Sequence, residues 1–114
     1  MNAKFGPAPI ITIHVLAVVG VLFWVSQAIT ALIDDGQPLD VLLLATVLGG
    51  AHVAISRLTS LHSARVYWAM WFVFISDSLL TVFVNWHAIA LVGFTVVLLA
   101  LMRTRSARQW YSQS

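Results

Sequence analysis

The sequence predicts an all-α membrane protein, a single domain over 1–114 built as a bundle of four transmembrane helices with both termini cytoplasmic. Three observations predict it: the composition, the lengths of the apolar runs and the sidedness of the charges. Of the 114 residues, 61% are hydrophobic and 9% charged, against about 45–50% and about 25% in soluble domains. Lys and Arg together number six, Asp and Glu four. So few charges cannot cover the surface of a soluble fold of this size, whereas lipid needs no such cover.

The first apolar run occupies 8–33 and the second 39–58. The first imitates a secretory signal, with Lys4 ahead of it and Ser26-Gln27-Ala28 as a small-x-small site. It is longer than a signal's apolar region, so we read it as a retained span. Between the two runs, Asp35-Gly36-Gln37-Pro38 reads as a turn into a helix with Pro38 in its first turn. A third apolar stretch covers 64–102. As one helix it would reach about 58 Å, against about 30 Å of hydrocarbon, so it folds back at the polar cluster Asn85-Trp86-His87. The result is spans at 64–84 and 88–102, with Ser60 or Ser63 as a cap for the third helix. The segment 103–114 holds three Arg with Trp110 and Tyr111, the composition of an interfacial tail on anionic headgroups.

Charge placement fixes the orientation. Lys4 precedes the first span, Arg57 and Arg65 flank the second loop, and Arg103, Arg105 and Arg108 follow the last span. Asp34, Asp35 and Asp40 fall in or beside the first loop. All the basic residues therefore lie on one side, the cytoplasmic one by the positive-inside rule, as expected in a bacterial inner membrane. The same dispersion of Arg excludes a nucleic-acid groove. The chain has no Cys, which excludes thiol redox chemistry, disulfides and iron–sulfur clusters. It has no Glu either, so no transport mechanism built on an embedded Glu applies.

Ionisable and polar residues inside spans are the candidate site. Asp77 lies near the middle of the third span, where an ionised Asp costs about 2.5–3.5 kcal/mol on the insertion scale. Thr81 and Asn85 follow at i+4 and i+8, on the same helix face, and Ser76 and Ser78 flank the Asp. This stripe is a candidate proton or cation site, or a hydrogen-bonded tie between helices. His52 sits in the second span on a face with Ala45, Gly49, Ser56 and Thr59. Helix rise puts it about 7 Å from Asp77 along the membrane normal, near enough for a His52–Asp77 relay through side chains or one water. Ala45/Gly49 and Gly50/Ala54 have the small-xxx-small spacing of close helix packing.

Other candidates are weaker. His14 and His52 as axial haem ligands would stand about 6 Å apart in depth, with no haem-attachment spacing, so no cofactor is expected. No HExxH or three-ligand cluster marks a metal site, and no nucleophile elbow marks an enzyme. His62 and His87 read as solvent or headgroup contacts. Ser26, Gln27 and Thr30 read as hydrogen bonds to neighbouring helices. Tyr67, Trp68, Trp71, Trp86 and Trp110 read as interfacial belts, and Trp24 as a packing contact. Arg103, Arg105, Arg108 and Trp110 are the expected lipid-headgroup contacts.

The expected function is an accessory or scaffold subunit of a larger membrane assembly, working through helix packing. Its partners would be lipids and other membrane subunits, or further copies of itself. The alternatives are a homo-oligomeric channel or proton-linked transporter using Asp77 and His52, and a membrane immunity or phage-related protein, with a holin as a minor variant.

Overall fold

A computed structural model describes residues 6–33, 38–83 and 86–112. Lys4, Asp34, Asp35 and Asn85 therefore lie outside the described residues. The elements are α1 (Ala8–Ile33), α2 (Pro38–Ser60), α3 (Val66–Phe83), a 3-10 turn over Trp86–Ala88, α4 (Ile89–Met102) and α5 (Arg105–Tyr111). No strand occurs among the described residues. Three helices are long and apolar enough to cross a membrane: Ala8–Ile33, Leu39–Ser60 and Val66–Phe83. Trp86–Met102 passes the same test only together with α5, from which it is bent by 76°.

Local chemistry sets the helix ends. Pro38 opens α2 where its missing N–H costs nothing. Asp40 in the first turn and Arg57 in the last complement the helix dipole. The end of α2 is a Schellman motif: Ser63 N–H bonds Leu58 O at 2.9 Å, and His62 N–H bonds Thr59 O at 3.1 Å. The motif needs a left-handed residue, and His62 supplies it with φ 55°. Of the two serines expected to cap α3, Ser60 is the last residue of α2. Ser63 does the local work, its Oγ accepting from Arg65 N–H and its carbonyl from Val66 N–H. Thr104 has extended backbone (φ −66°, ψ 152°) and caps α5 through Ala107 N–H, which breaks the helix from α4.

The first four helices alternate in direction, and side-chain contacts give the register. Across α1 and α2, His14 meets Ser56, Gly20 meets His52 and Trp24 meets Gly49. Across α3 and α4, Tyr67 meets Arg103 and Asp77 meets Thr95. Each helix of the first four packs on its chain neighbours, and α4 returns to α1, which closes a ring. The core runs along the ring axis through Ile13, Ala17, Leu48, Ile55, Met70, Val73 and Leu98. Outward faces carry exposed Leu22, Val47, Leu79 and Phe83, a surface that suits lipid and not water. Hydroxyls on the helices turn inward to their own backbone: Thr12 donates to Ala8 O, Thr46 to Leu42 O and Ser78 to Phe74 O. Ser26, expected to bond a neighbouring helix, likewise donates to Phe23 O of its own. That removes the cost of an unsatisfied donor in hydrocarbon.

The four seams are unequal. The α1–α2 seam is the most extensive, because α1 presents Gly20 to the His52 ring. A Cβ at Gly20 would overlap the imidazole. One turn further along, Gly49 lies against Trp24, where a Cβ would meet the Trp24 Cβ at 3.5 Å. Gly50 faces outward with nothing within 4 Å of such an atom.

The two small-xxx-small pairs therefore part company. Ala45 is buried in the core and Gly49 is half-buried against α1, so the first pair packs as its spacing predicts. The second pair, Gly50 and Ala54, is not packed into this chain's own core. Gly50 is exposed, and Ala54 is half-buried without joining the core cluster or its surround. The reason is rotational: the two stand four residues apart and so share a face, but that face is turned about 100° from the Ala45–Gly49 face that α1 occupies.

Gly→Ala in a helix interior ordinarily stabilises by about 1 kcal/mol. Gly50→Ala is expected to leave the melting temperature in detergent unchanged or raised. Gly20→Ala is expected to lower stability by about 1–3 kcal/mol through overpacking against His52. Equal melting temperatures for the two variants would contradict this packing.

Candidate functional site

Asp77 projects from the buried face of α3 and is 2% exposed. Thr95 of α4 donates to Asp77 Oδ2 at 2.9 Å. The same hydroxyl also stands 3.0 Å from Leu91 O, so its one proton is shared between two acceptors. Asp77 Oδ1 is buried with no hydrogen-bond partner. Thr81 does not reach the carboxyl; its Oγ1 donates to the Asp77 backbone carbonyl at 2.9 Å. Ser76 lies at a groove wall, and Asn85 lies outside the described residues.

His52 is 3% exposed. Its Nδ1 donates to Leu48 O at 2.8 Å, since a carbonyl can only accept. The ring lies between Gly20 of α1 and Phe94 of α4, whose ring centre is 6.1 Å away. The expected His52–Asp77 relay has no direct contact behind it. No hydrogen bond or ion pair joins the two among the described residues; His52 is bonded to its own helix and Asp77 to Thr95. Both face the interior, but toward different neighbours. His14 shares a 2.9 Å hydrogen bond with Ser56, which gives Ser56 a polar role in the α1–α2 seam. With the His52 ring pressed on the α1 backbone at Gly20, these two residues do not fit a haem. Among the described residues no three His, Cys, Asp or Glu converge as a metal site.

A groove opens between α2 and α3. It lies toward the end of these helices that is opposite their connection over 61–65. The groove measures about 760 Å³, with Asp40, Leu43, Leu44 and Val47 on one wall and Leu79, Leu80 and Phe83 on the other. The wall positions recur at i, i+3, i+4 and i+7 on both helices, one stripe per helix. Asp40 supplies the charge, at the open end.

The third feature was not legible as a site in the sequence. Helix α5 docks on the end of α2, with Ala107 and Tyr111 buried. Thr59 is the hub. Its Oγ1 shares a 2.8 Å hydrogen bond with the Tyr111 hydroxyl, and its carbonyl accepts from Trp110 Nε1 at 2.8 Å. His62 stacks on the Trp110 ring at 3.9 Å between centres, and its Nδ1 donates to Trp110 O at 2.9 Å. Gly6, with φ 86°, completes the seat, and a Cβ there would stand 2.8 Å from the Trp110 ring. Trp110 and His62, expected as headgroup or solvent contacts, are half-buried and partner each other. Arg105 and Arg108 stay exposed. Arg103 is exposed and donates to the Tyr67 hydroxyl at 3.3 Å. The one available signal was Thr104 as a helix cap, which marks α5 as a helix but not where it docks.

No protein-family model, curated protein or solved structure matches the chain.

Burial pushes the Tyr111 phenol above its ordinary range, and the hydrogen bond from Thr59 opposes that shift. A group whose folded-state pKa is raised stabilises the fold fully below its unfolded value, near 10, and loses that contribution as pH rises through the folded value. Docking of α5 is therefore expected to be insensitive to neutral pH and to weaken in strong alkali. Tyrosinate absorbance should resolve a component titrating above about 10 that disappears in Tyr111→Phe. Superimposable titration curves would show that Tyr111 is not buried in the folded chain.

Proposed function

We propose that the chain is an accessory subunit of a larger membrane assembly, and that the α2–α3 groove receives a transmembrane helix of the partner. The observation that carries this reading is the pair of apolar stripes, on α2 from Asp40 and on α3 from Ser76 to Phe83, left unpacked against one another. Stripes at i, i+3, i+4 and i+7 are what a third helix packs between. In lipid such packing rests on close van der Waals contact between fitted faces. The partner helix carries a basic residue at the level of Asp40, where the groove has its charged side chain.

The accompanying topology is four spans, α4 being the shortest, with both termini cytoplasmic in a bacterial inner membrane. It is supported by the charge distribution: the arginines cluster at the end formed by the α2–α3 connection and α5, and Asp40 at the other. Exposed Trp68 and Trp86 mark the two ends, at 77% and 68% exposure, as interfacial aromatics do.

Filling the groove tests the assembly reading. Leu44→Trp and Leu80→Trp are expected to release the partner during mild-detergent co-purification and leave the chain folded. Leu22→Trp, on the outward face of α1, is expected to retain it. Recovery of the chain alone from native membranes, or retention by all three variants, would remove the proposal.

A second reading, a homo-oligomeric channel or proton-linked transporter, is favoured by one observation: the unpartnered Oδ1 of Asp77. It predicts cation flux in proteoliposomes that Asp77→Asn abolishes. Flux of equal size through the variant, or no flux through the native chain, removes this reading.

A further inference from the structure

We infer that α5 is a pre-organised cationic platform that binds the phosphate groups of anionic lipids. This rests on the membrane-spanning reading of the helices and is independent of any partner in the groove. The helix has two faces. Ala107, Trp110 and Tyr111 point into the bundle end and are held by Thr59 and His62. Arg105, Arg108, Gln109 and Ser112 recur at spacings of three, one and three, share the opposite face, and are all exposed. Together they line a polar recess of about 490 Å³.

Orientation makes this surface more than a charged tail. The 76° bend turns α5 across the end of α4 instead of letting it continue along the bundle axis. The arginines therefore sit at one level, directly after the last apolar helix, where headgroup phosphates lie. Arg57, Arg65 and Arg103 are exposed at the same end and add to the local positive field. Arg offers a planar fork of donors that matches phosphate oxygens. Gln109 adds a neutral amide donor suited to a phosphate or a glycerol hydroxyl, while the Ser112 hydroxyl donates to Gln109 O at 2.8 Å and keeps its lone pairs for a glycerol hydroxyl. A flexible basic tail would lose conformational freedom on binding, whereas a docked helix has lost it already. The left-handed His62 fits this account. A glycine at that position would relieve the backbone, but it would remove both the stack on Trp110 and the hydrogen bond to its carbonyl.

The test uses the full chain purified in a neutral detergent. Binding is measured by titration with phosphatidylglycerol, phosphatidylcholine and inorganic phosphate. Phosphatidylglycerol is expected to bind at least about tenfold more tightly than phosphatidylcholine. Replacing Arg105 and Arg108 together by Gln is expected to weaken phosphatidylglycerol about thirty-fold, from about 1 kcal/mol per Arg near the surface. Trp110→Ala and the gentler Tyr111→Phe keep every arginine and loosen the docking. Both are expected to reduce the preference, the former more, with helicity by circular dichroism as the folding control. Native-like binding by both would mean a plain charged tail and would overturn the inference. So would equal affinity for the two lipids, or displacement of phosphatidylglycerol by millimolar inorganic phosphate.

Discussion

The contact between the His52 ring and Gly20 sets the geometry of the whole bundle. A side chain can lie directly on the α1 backbone only where α1 has no Cβ, and this draws α2 toward α1. The ring is also tied back to Leu48 O, so it fills the seam as a fixed body and not as a mobile rotamer. With α2 committed to α1 along Ala45, Leu48, His52 and Ile55, its opposite side is left to α3. The two helices are joined by a short connection and leave a groove between them toward the other end. Lipid tolerates such a gap where water would not, because the walls Leu43, Val47 and Leu79 are as apolar as an acyl chain.

The same economy governs polar groups. Ring closure brings Asp77 against Thr95, which satisfies one carboxylate oxygen and leaves the other unpartnered. Thr12, Ser26, Thr46 and Ser78 bond their own helix and make no demand on neighbours. At the arginine end the requirement is opposite. Helix ends expose backbone groups, and Thr59 answers by serving His62, Trp110 and Tyr111 at once. The carbonyl of this one residue closes the turn at His62 N–H and also accepts from Trp110, and its hydroxyl meets Tyr111, so that it anchors a helix some fifty residues away in sequence. The bundle thus has one end sealed by α5 and one open end, and on the reading proposed above these separate lipid contact from partner contact.

Much of the helical layout was legible in the sequence, because span length is a coarse physical constraint. The apolar runs at 8–33 and 39–58 coincide with α1 and most of α2, and the reversal near Trp86 coincides with a 3-10 turn. The site was less legible. Periodicity gives the face on which a residue lies, but not the neighbour which that face meets. His52 and Asp77 both face inward, yet one meets α1 and the other α4. Gly49 and Gly50 differ by a rotation of about 100°, enough to put one against Trp24 and the other outside. Spacing alone therefore could not tell the Ala45–Gly49 pair, which packs, from the Gly50–Ala54 pair, which does not. The docking of α5 depends on a left-handed His62 and on contacts across some fifty residues, and no local pattern encodes either.

A photo-crosslinking amino acid placed at Leu79, on the groove wall, tests the central claim in native membranes. The same residue at Leu22, on the outward face of α1, is the control. A groove filled by a partner helix gives one discrete protein adduct from position 79 and only lipid adducts from position 22. Lipid adducts alone from both positions would contradict the account.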